Sequence, residues 1–317
     1  MKITAIVPVW NGRDLLARLL TTLEAQSLAP AELLIVDNGS TDGAPEMAKS
    51  RGARVIPMGR NAGFAAAVNR GIREAAHPLV AILNSDVELA SDYLEKLAST
   101  GAPFATGKIL SPTGLLDGAF DLTCRGATTW RGGAGQPDGP PFDQPREIYS
   151  PPWTAVLYRT EVFQQVGLLE ESFESYLEDA DFGLRCAALG IAGRYVPEAR
   201  AVHVGSASLG PWHPDTVRRM SRNQVLLVAR HWGGRDWWRV LVAQALWGVV
   251  ALRHGCGLAW TSGKWRGIRQ FRAATGKNLT NACTSLENIL RENERFIHTE
   301  NLDSYWKLYF QLTGWTK

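Results

Sequence analysis

The sequence predicts an α/β fold: a mostly parallel central sheet followed by a C-terminal helical region. Three observations predict it. Between Ile3 and Gly107 apolar strand patterns alternate with helix patterns, which at this spacing implies a parallel sheet covered on both faces. Two strand patterns run into carboxylates, at Asp37 and at Asp86, and open α/β sheets bind ligands just beyond the carboxyl ends of their strands. From Asp215 onward the pattern is mostly helical. A chain of 317 residues, 45% of them hydrophobic, suffices for one large domain with an appendage.

The elements follow in order. Ile3–Val9 is apolar and rich in β-formers, and Arg13–Gln26 carries Leu15, Leu16, Leu19, Leu20 and Leu23 at helical spacing. Glu32–Asp37 is a second strand, Asp42–Lys49 a short helix and Arg54–Met58 a third strand. Gly63–Glu74 reads as a helix, Leu79–Leu83 as a fourth strand and Ser91–Ser99 as a helix. Right-handed crossovers should join these parallel strands. Asp117–Pro152 is rich in Gly and Pro, so it reads as loop with an irregular hairpin, a segment suited to covering a site. Regular patterns resume with a strand at Thr154–Tyr158, a helix at Glu161–Val166, a helix at Asp179–Leu189 that stops at Gly190, and a short strand at Arg194–Val196.

The strand ends carry the chemistry. The first closes in Pro8-Val9-Trp10-Asn11-Gly12. Proline cannot donate to a ladder and belongs at a strand margin; Trp10 then stands at the rim, able to stack on a base, or else packs in the core. The second closes in Asp37-Asn38-Gly39-Ser40-Thr41-Asp42. Asp37 can accept a hydrogen bond from the N3–H of uracil or thymine, and Ser40 to Asp42 suit helix capping. After the third strand, Asn61-Ala62-Gly63-Phe64 leads through Ala65–Ala67 to Asn69 and Gly71. Small residues let that helix start approach a ligand, and free N–H groups there favour anions; tight packing accounts equally well for the alanines. The fourth strand closes in Asn84-Ser85-Asp86, whose carboxylate can hold a divalent metal against a diphosphate.

A second acidic cluster, Glu178-Asp179-Ala180-Asp181, opens a helix. Compensation of the helix dipole needs one or two acids, not three. Crowded carboxylates raise one another's proton affinity, which suits a general base. His203 follows Pro197–Val202 near a strand end, where an imidazole is either structural or a metal ligand.

Together these pieces resemble the family 2 glycosyltransferases of the GT-A fold, over roughly Ile3 to Gly205. Pro-x-Trp-Asn is similar to that family's opening signature and Asp-Asn-Gly-Ser-Thr-Asp to its second. Asn-x-Gly-Phe-x-x-x-x-Asn-x-Gly resembles the rhamnosyltransferase-like subgroup. Asn84-Ser85-Asp86 occupies the Asp-x-Asp position with an amide in place of the first carboxylate. An amide still hydrogen-bonds a ribose hydroxyl, but it gives a metal less negative charge.

The resemblance implies an inverting transfer from a nucleotide-sugar donor. Its donor-binding residues map to Pro8, Trp10, Asn11, Asp37, Asn61, Gly63, Asn69, Asn84, Ser85 and Asp86. A divalent metal, Mn or Mg, maps to Asp86 and His203, and the base to Asp179 with Glu178 and Asp181 in support. The implied donor is dTDP-L-rhamnose ahead of a UDP-sugar. The implied acceptor is a polyprenyl-diphosphate-linked saccharide of cell-surface polysaccharide assembly. On this basis residues 1–212 form the GT-A domain, with 111–152 as its acceptor-side loop region, and 213–317 form a helical extension.

Composition narrows the setting. The net charge of +3 is uneven, with eleven Lys/Arg and one acid, Asp236, between Arg218 and Arg272. Seven of the twelve Trp fall between Trp212 and Trp265, and Trp with Arg is typical of a membrane interface. Val240–Leu252 is apolar apart from Gln244, but a helix of that length spans only about 20 Å of a hydrocarbon core of about 30 Å. The expectation is a cytoplasmic protein held peripherally on the inner face of the plasma membrane. Nucleic-acid binding is disfavoured, because apolar residues stand where a phosphate-tracking surface needs Lys and Arg. A nicotinamide enzyme is excluded by the lack of Gly-x-Gly-x-x-Gly after the first strand. A purely nucleotide-sugar-binding protein would have no use for the acidic clusters. Cys124, Cys186, Cys256 and Cys283 form no paired motif, as in a reducing compartment. Met1-Lys2-Ile3 runs straight into a strand with no secretory pattern, so the sequon Asn278-Leu279-Thr280 carries little weight.

Overall fold

Four parallel strands make one half of the sheet, in the order β3 (Arg54–Pro57), β2 (Glu32–Asp37), β1 (Ile3–Val9) and β4 (Leu79–Leu83). The computed structural model describes residues 1–204, 212–275, 283–300 and 303–315. Gly205 and Pro211 near the expected domain boundary, and the sequon at Asn278, lie outside the described residues.

Helices α1 (Arg13–Glu24), α2 (Ala44–Ser50) and α3 (Phe64–Glu74) connect these strands. Leu16, Leu19, Leu20 and Leu23 of α1 enter the core with Ile3, Ala5 and Val7 of β1, as their spacing predicts. On α3 the approach to β1 is closer. A Cβ on Gly71 would meet Ile6 Cγ2 at 2.4 Å, so a glycine is required there.

The other half of the sheet is mixed. β11 (Ala155–Arg159) runs antiparallel to both β4 and β6 (Phe104–Leu110), and β12 (Gly193–His203) runs parallel to β6. β10 (Arg146–Ile148) and β5 (Val87–Leu89) pair antiparallel with β12, and β7 (Leu116–Gly118) with β6. Between these lie α4 (Tyr93–Ser99), α5 (Thr160–Val166), a 3-10 turn at Glu171–Phe173 and α6 (Glu178–Ala188). The expected hairpin in the Gly/Pro-rich segment is a two-stranded sheet of β8 (Asp121–Thr123) and β9 (Thr129–Arg131).

The strand expectations are corrected at several points. β5, β6, β7 and β10 were not expected. The apolar pattern of β6 is broken by Lys108, which is buried and ion-paired with Asp138. The short strand Arg194–Val196 is in fact the eleven-residue β12. Pro197 interrupts its pattern, and the register against β6 shifts between Val196 and Arg200. The bulge brings Ala199 so near β6 that a Cβ on Gly107 would lie 2.1 Å from the Ala199 carbonyl oxygen.

The chain divides into two units. The first comprises 1–120, 131–186 and 191–207; the second takes 121–130, 187–190 and 208–317. In the second, α7 (Pro214–His231), α8 (Trp237–Arg253), α9 (Gly257–Ala274), α10 (Cys283–Glu300) and α11 (Ser304–Leu312) follow one another. Segment 121–130 is fastened there by a buried ion pair, Arg125 Nη2 to Glu294 Oε2 at 2.6 Å. Trp232 Nε1 also donates to the Arg125 carbonyl at 2.8 Å. Gly263 and Gly267 let α9 lie almost against the backbone of α7; a Cβ on Gly263 would meet the Arg218 carbonyl oxygen at 2.3 Å. Among the described residues no helix is long and apolar enough to cross a membrane.

Candidate active site

β1 and β2 end level, Val9 opposite Asp37. Pro8 lies in the last part of β1, beyond the stretch Ile3–Ile6 that pairs with β4. Trp10 follows with 49% of its surface exposed, so it stands at the rim and not in the core. Asn11, at φ +61°, ties the two loops together. Its N–H donates to Ser40 Oγ and its Oδ1 accepts from the Thr41 N–H, each at 2.9 Å. Asp37 is buried, and its Oδ1 accepts from the Ser40 N–H at 2.9 Å. Capping therefore explains one carboxylate oxygen of Asp37; among the described residues Oδ2 takes no hydrogen bond.

The expectation of open N–H groups at the start of α3 does not hold. Phe64 N–H donates to Ser175 Oγ at 3.2 Å and Ala65 N–H to the Glu174 carbonyl at 3.0 Å. Gly63, at φ +89°, is pressed so close that a Cβ would lie 2.7 Å from the same carbonyl oxygen. Asn61 Oδ1 accepts from the Gly63 N–H at 3.1 Å. Asn69 is buried; its Nδ2 donates to the Leu169 carbonyl at 2.9 Å and its Oδ1 accepts from the Leu169 N–H at 2.9 Å. Gly63 and Asn69, expected at the donor, pack against the 169–175 segment, and Asn61 shapes the turn into Gly63. That segment delivers α6. The link into α6 is strained, with Glu174, Tyr176 and Leu177 at φ +62°, +74° and +65°, a conformation that costs non-glycine residues about 1–3 kcal/mol each. Such strain clusters at functional sites.

β4 gives way to a turn in which the Asn84 N–H donates to the Thr154 carbonyl at 2.9 Å. Asn84, Ser85 and Asp86 are all half-buried there. β5 then pairs with the end of β12, His203 opposite Val87, and brings the imidazole to Asp86. His203 Nε2 lies 3.2 Å from Asp86 Oδ1, and its Nδ1 3.0 Å from Oδ2 of Asp117 on β7. Burial alone would lower the pKa of this imidazole; its hydrogen bonds and charge contacts with Asp117 and Asp86 raise it to about 9. Burial likewise would raise Asp117, but His203 and then the charge of Arg131 hold it below the usual carboxylate value.

The Asp86–His203 pair fits a divalent ion. A metal-bound histidine characteristically gives its other ring N–H to a carboxylate, which is the place Asp117 takes. Two neighbouring ligand atoms about 3 Å apart suit octahedral Mn or Mg. Among the described residues no group of three or more His, Cys, Asp or Glu gathers as a metal cluster. The remaining positions would fall to diphosphate oxygens and water, as such ions prefer.

At the start of α6 the three carboxylates have separate environments. Asp181 is buried and accepts from Arg185 Nε at 3.0 Å, and Arg185 reaches on to the carbonyls of Val166 and Leu168. Asp181 thus holds the Arg185 guanidinium between the α6 start and those carbonyls. Glu178 is buried, and among the described residues its Oε2 has no hydrogen-bond partner. Burial, and then the charge of Asp179, push its carboxyl well above the ordinary value. Asp179 is the one partly open to solvent. Its Oδ2 lies 3.7 Å from Nη2 of Arg131. Trp153 and Tyr158 pack on Phe182 beneath α6, with ring centroids 5.2 and 5.6 Å away.

Arg131 and Asp117 were missed by sequence reasoning. Both lie in the Gly/Pro-rich segment with no periodic signal. Gly118 and Gly132 flank them, and a Cβ on Gly118 would meet Arg131 Cδ at 2.7 Å. The glycines that hid the strands also make room for the cation.

Comparison with known proteins gives the family and the fold. Residues 4–100 match the family model described as Glycosyl transferase family 2. The N-acetylglucosaminyl-diphospho-decaprenol L-rhamnosyltransferase of Mycobacterium tuberculosis is 30% identical over 277 residues, covering 75% of this chain and 87% of that protein. The O-antigen biosynthesis protein RfbC of Myxococcus xanthus is 30% identical over 229 residues, covering 65% of this chain and 18% of that protein. The crystal structure of GalNAc-T7 with UDP, GalNAc and Mn2+ superposes with a TM-score of 0.66 at 14% identity, over 95% of this chain and 58% of that one. At that identity the likeness is one of fold.

Proposed function

Because this chain belongs to glycosyl transferase family 2 and is rhamnosyltransferase-like within it, we propose that it moves L-rhamnose from dTDP-L-rhamnose to a hydroxyl of a polyprenyl-diphosphate-linked saccharide, with inversion. The observation that carries the reading is the sorting of the α6 carboxylates. Glu178 and Asp181 are buried, and Asp179 alone is partly exposed, beside the Arg131 cation. Asp179 then takes the acceptor hydroxyl proton while that oxygen attacks the anomeric carbon. The new C–O bond forms as the bond to the diphosphate breaks on the opposite face. General-base help of this type is worth about 10²–10⁴ in rate.

The donor base falls to Trp10 and Asp37, with Pro8 and Asn11 shaping the rim. The ribose falls to Asn84, with Ser85 supplying a further polar contact in the same turn. Asp86 and His203 would hold a divalent ion, which supplies charge neutralisation for the leaving diphosphate. Residues 1–212 carry the chemistry in this proposal, and the helical 213–317 serves a lipid-linked acceptor. We place the enzyme peripherally on the inner face of the plasma membrane, where such an acceptor resides. The acceptor class takes its support from the mycobacterial relative, whose name specifies a diphospho-decaprenol carrier.

The test is a transfer assay. The purified chain is offered dTDP-L-rhamnose or UDP-sugars, Mn2+ and a synthetic prenyl-diphospho-N-acetylglucosamine. Rhamnosylated product with inverted anomeric configuration is expected. Transfer from UDP-sugars alone would replace the donor, and retained configuration would remove Asp179 from its role as base.

A further inference from the structure

The α8–α9 pair presents an apolar face to solvent. On α8, Trp237, Leu241 and Leu252 are 64%, 60% and 69% exposed; on α9, Leu258, Trp265 and Ile268 are 88%, 63% and 57% exposed. Their spacings place each set along one side of its helix. Leu252 Cδ1 lies where a Cβ on Gly257 would be 2.9 Å away, next to Leu258, so the two stripes meet at the turn. Soluble monomers rarely leave contiguous apolar surface of this kind unoccupied.

The charge around this face identifies what covers it. Arg253, Arg266, Arg269 and Arg272 are exposed on the same two helices. No carboxylate occurs in the sequence between Asp236 and Glu287. A second copy of the chain would set arginine against arginine, since a two-fold interface meets itself. Nucleic acid would meet tryptophan and leucine where it needs cations. An anionic bilayer satisfies both features, because Trp and Leu seat at the acyl boundary while Arg meets lipid phosphate.

We propose that α8 and α9 lie flat in the interface of an anionic membrane, with Leu258 and Trp265 inserted and Arg266 and Arg269 on the headgroups. Neither helix needs to cross, and neither is long and apolar enough to do so. The inference rests on the lipid-linked acceptor reading only for its purpose; the surface itself is argued from α8 and α9.

The experiment is sedimentation of the full chain with vesicles of phosphatidylcholine, with or without phosphatidylglycerol. Binding to the anionic vesicles is expected, weakened by salt. Two double variants follow, Leu258→Glu with Trp265→Glu, and Arg266→Glu with Arg269→Glu. Each should cut vesicle binding by about tenfold or more. Melting temperature should stay close to wild type, and transfer to a short water-soluble prenyl acceptor within about twofold, for these exposed sites. Vesicle binding that ignores the anionic lipid, or that both variants leave intact, overturns the proposal. So does a wild-type dimer that the variants dissociate, which would assign the face to a second copy. Loss of transfer in the wild type with vesicle binding intact would instead count against the glycosyltransfer reading.

Discussion

Arg131 Nη2 sits 3.7 Å from Asp179 Oδ2, and the same cation lowers the proton affinity of Asp117. The proposed base and the carboxylate that anchors His203 therefore share one guanidinium. Replacing Arg131 with Met should lower transfer by about 10²–10³-fold, the range typical when one preorganised donor is removed. Affinity for the nucleotide diphosphate should change little, because Asp37 and Trp10 are untouched. Steady-state kinetics beside a nucleotide titration separate the two quantities; equal losses in both would place Arg131 at the donor instead.

Asp179 and Glu178 adjoin in sequence, yet they should respond very differently to loss of charge. Asp179→Asn removes the acceptor of the hydroxyl proton, and turnover should fall about 10²–10⁴-fold. Glu178 is held toward its neutral form by burial and by Asp179. Glu178→Gln copies that form in shape and charge, so activity should remain within about tenfold of wild type, as for a tolerated isosteric change. If the Gln variant collapsed as far as the Asn variant, the base would have been misassigned.

The same burial gives a pH signature. A carboxyl whose folded pKa is raised stabilises the fold fully below its unfolded value, 4.5 here, and loses that contribution as pH climbs toward the folded value. The difference in melting temperature, wild type minus Glu178→Gln, should therefore fall as pH rises from 4.5 toward neutrality. Thermal scans across that window decide it; a difference that widens with pH would mean that Glu178 is stabilised as the anion.

Much of this arrangement was legible before any coordinates. β1, β2 and β4 announce themselves as apolar runs, and Asp37 and Asp86 at their ends follow from the period of the strands. The acidic start of α6 stands out because three carboxylates exceed what a helix dipole asks for. Apart from β11 and the start of β12, the second half of the sheet was hidden by physics that patterning does not see. Lys108 breaks the apolar run of β6 yet is buried through Asp138, and Pro197 splits β12 at a bulge that Gly107 accommodates. Asp117 and Arg131 lie on three-residue strands, too short for any periodicity to register.

The asparagine motif after β3 offers a sharp contrast between binding and architecture. Asn69 spends its amide on Leu169 and Glu171, and Gly63 leaves no room for a methyl group beside Glu174. Asn69→Ala should cost about 1–3 kcal/mol of stability by orphaning buried backbone groups. Gly63→Ala should cost a similar amount, about 1–3 kcal/mol, through its left-handed φ. Denaturant titration measures both. Nucleotide affinity of the folded variants should match wild type; a selective loss of affinity with stability intact would return these residues to the donor.

The proposed metal ligands, Asp86 and His203, yield the last expectation. Asp117 accepts at Nδ1 of His203 and so fixes which ring nitrogen faces Asp86. With the Nδ1 N–H committed to the carboxylate, Nε2 is the nitrogen left to exchange its proton for a metal. Asp117→Asn should therefore weaken Mn2+ binding by about 10- to 100-fold without touching a ligand atom, as is usual for partners behind a metal-bound histidine. His203→Ala should remove a ligand outright. Because Asp86 and His203 supply only two ligand atoms, Mn2+ should bind tightly only together with a nucleoside diphosphate whose oxygens complete the shell. Melting temperatures with Mn2+ alone, dTDP alone and both together test this directly, since a ligand that binds only the folded state raises it by mass action. Wild type should show a shift with both that exceeds the sum of the single shifts, and the Asp86→Asn and His203→Ala variants should show only the sum. A strictly additive wild type would mean that Asp86 and His203 do not share a metal with the diphosphate.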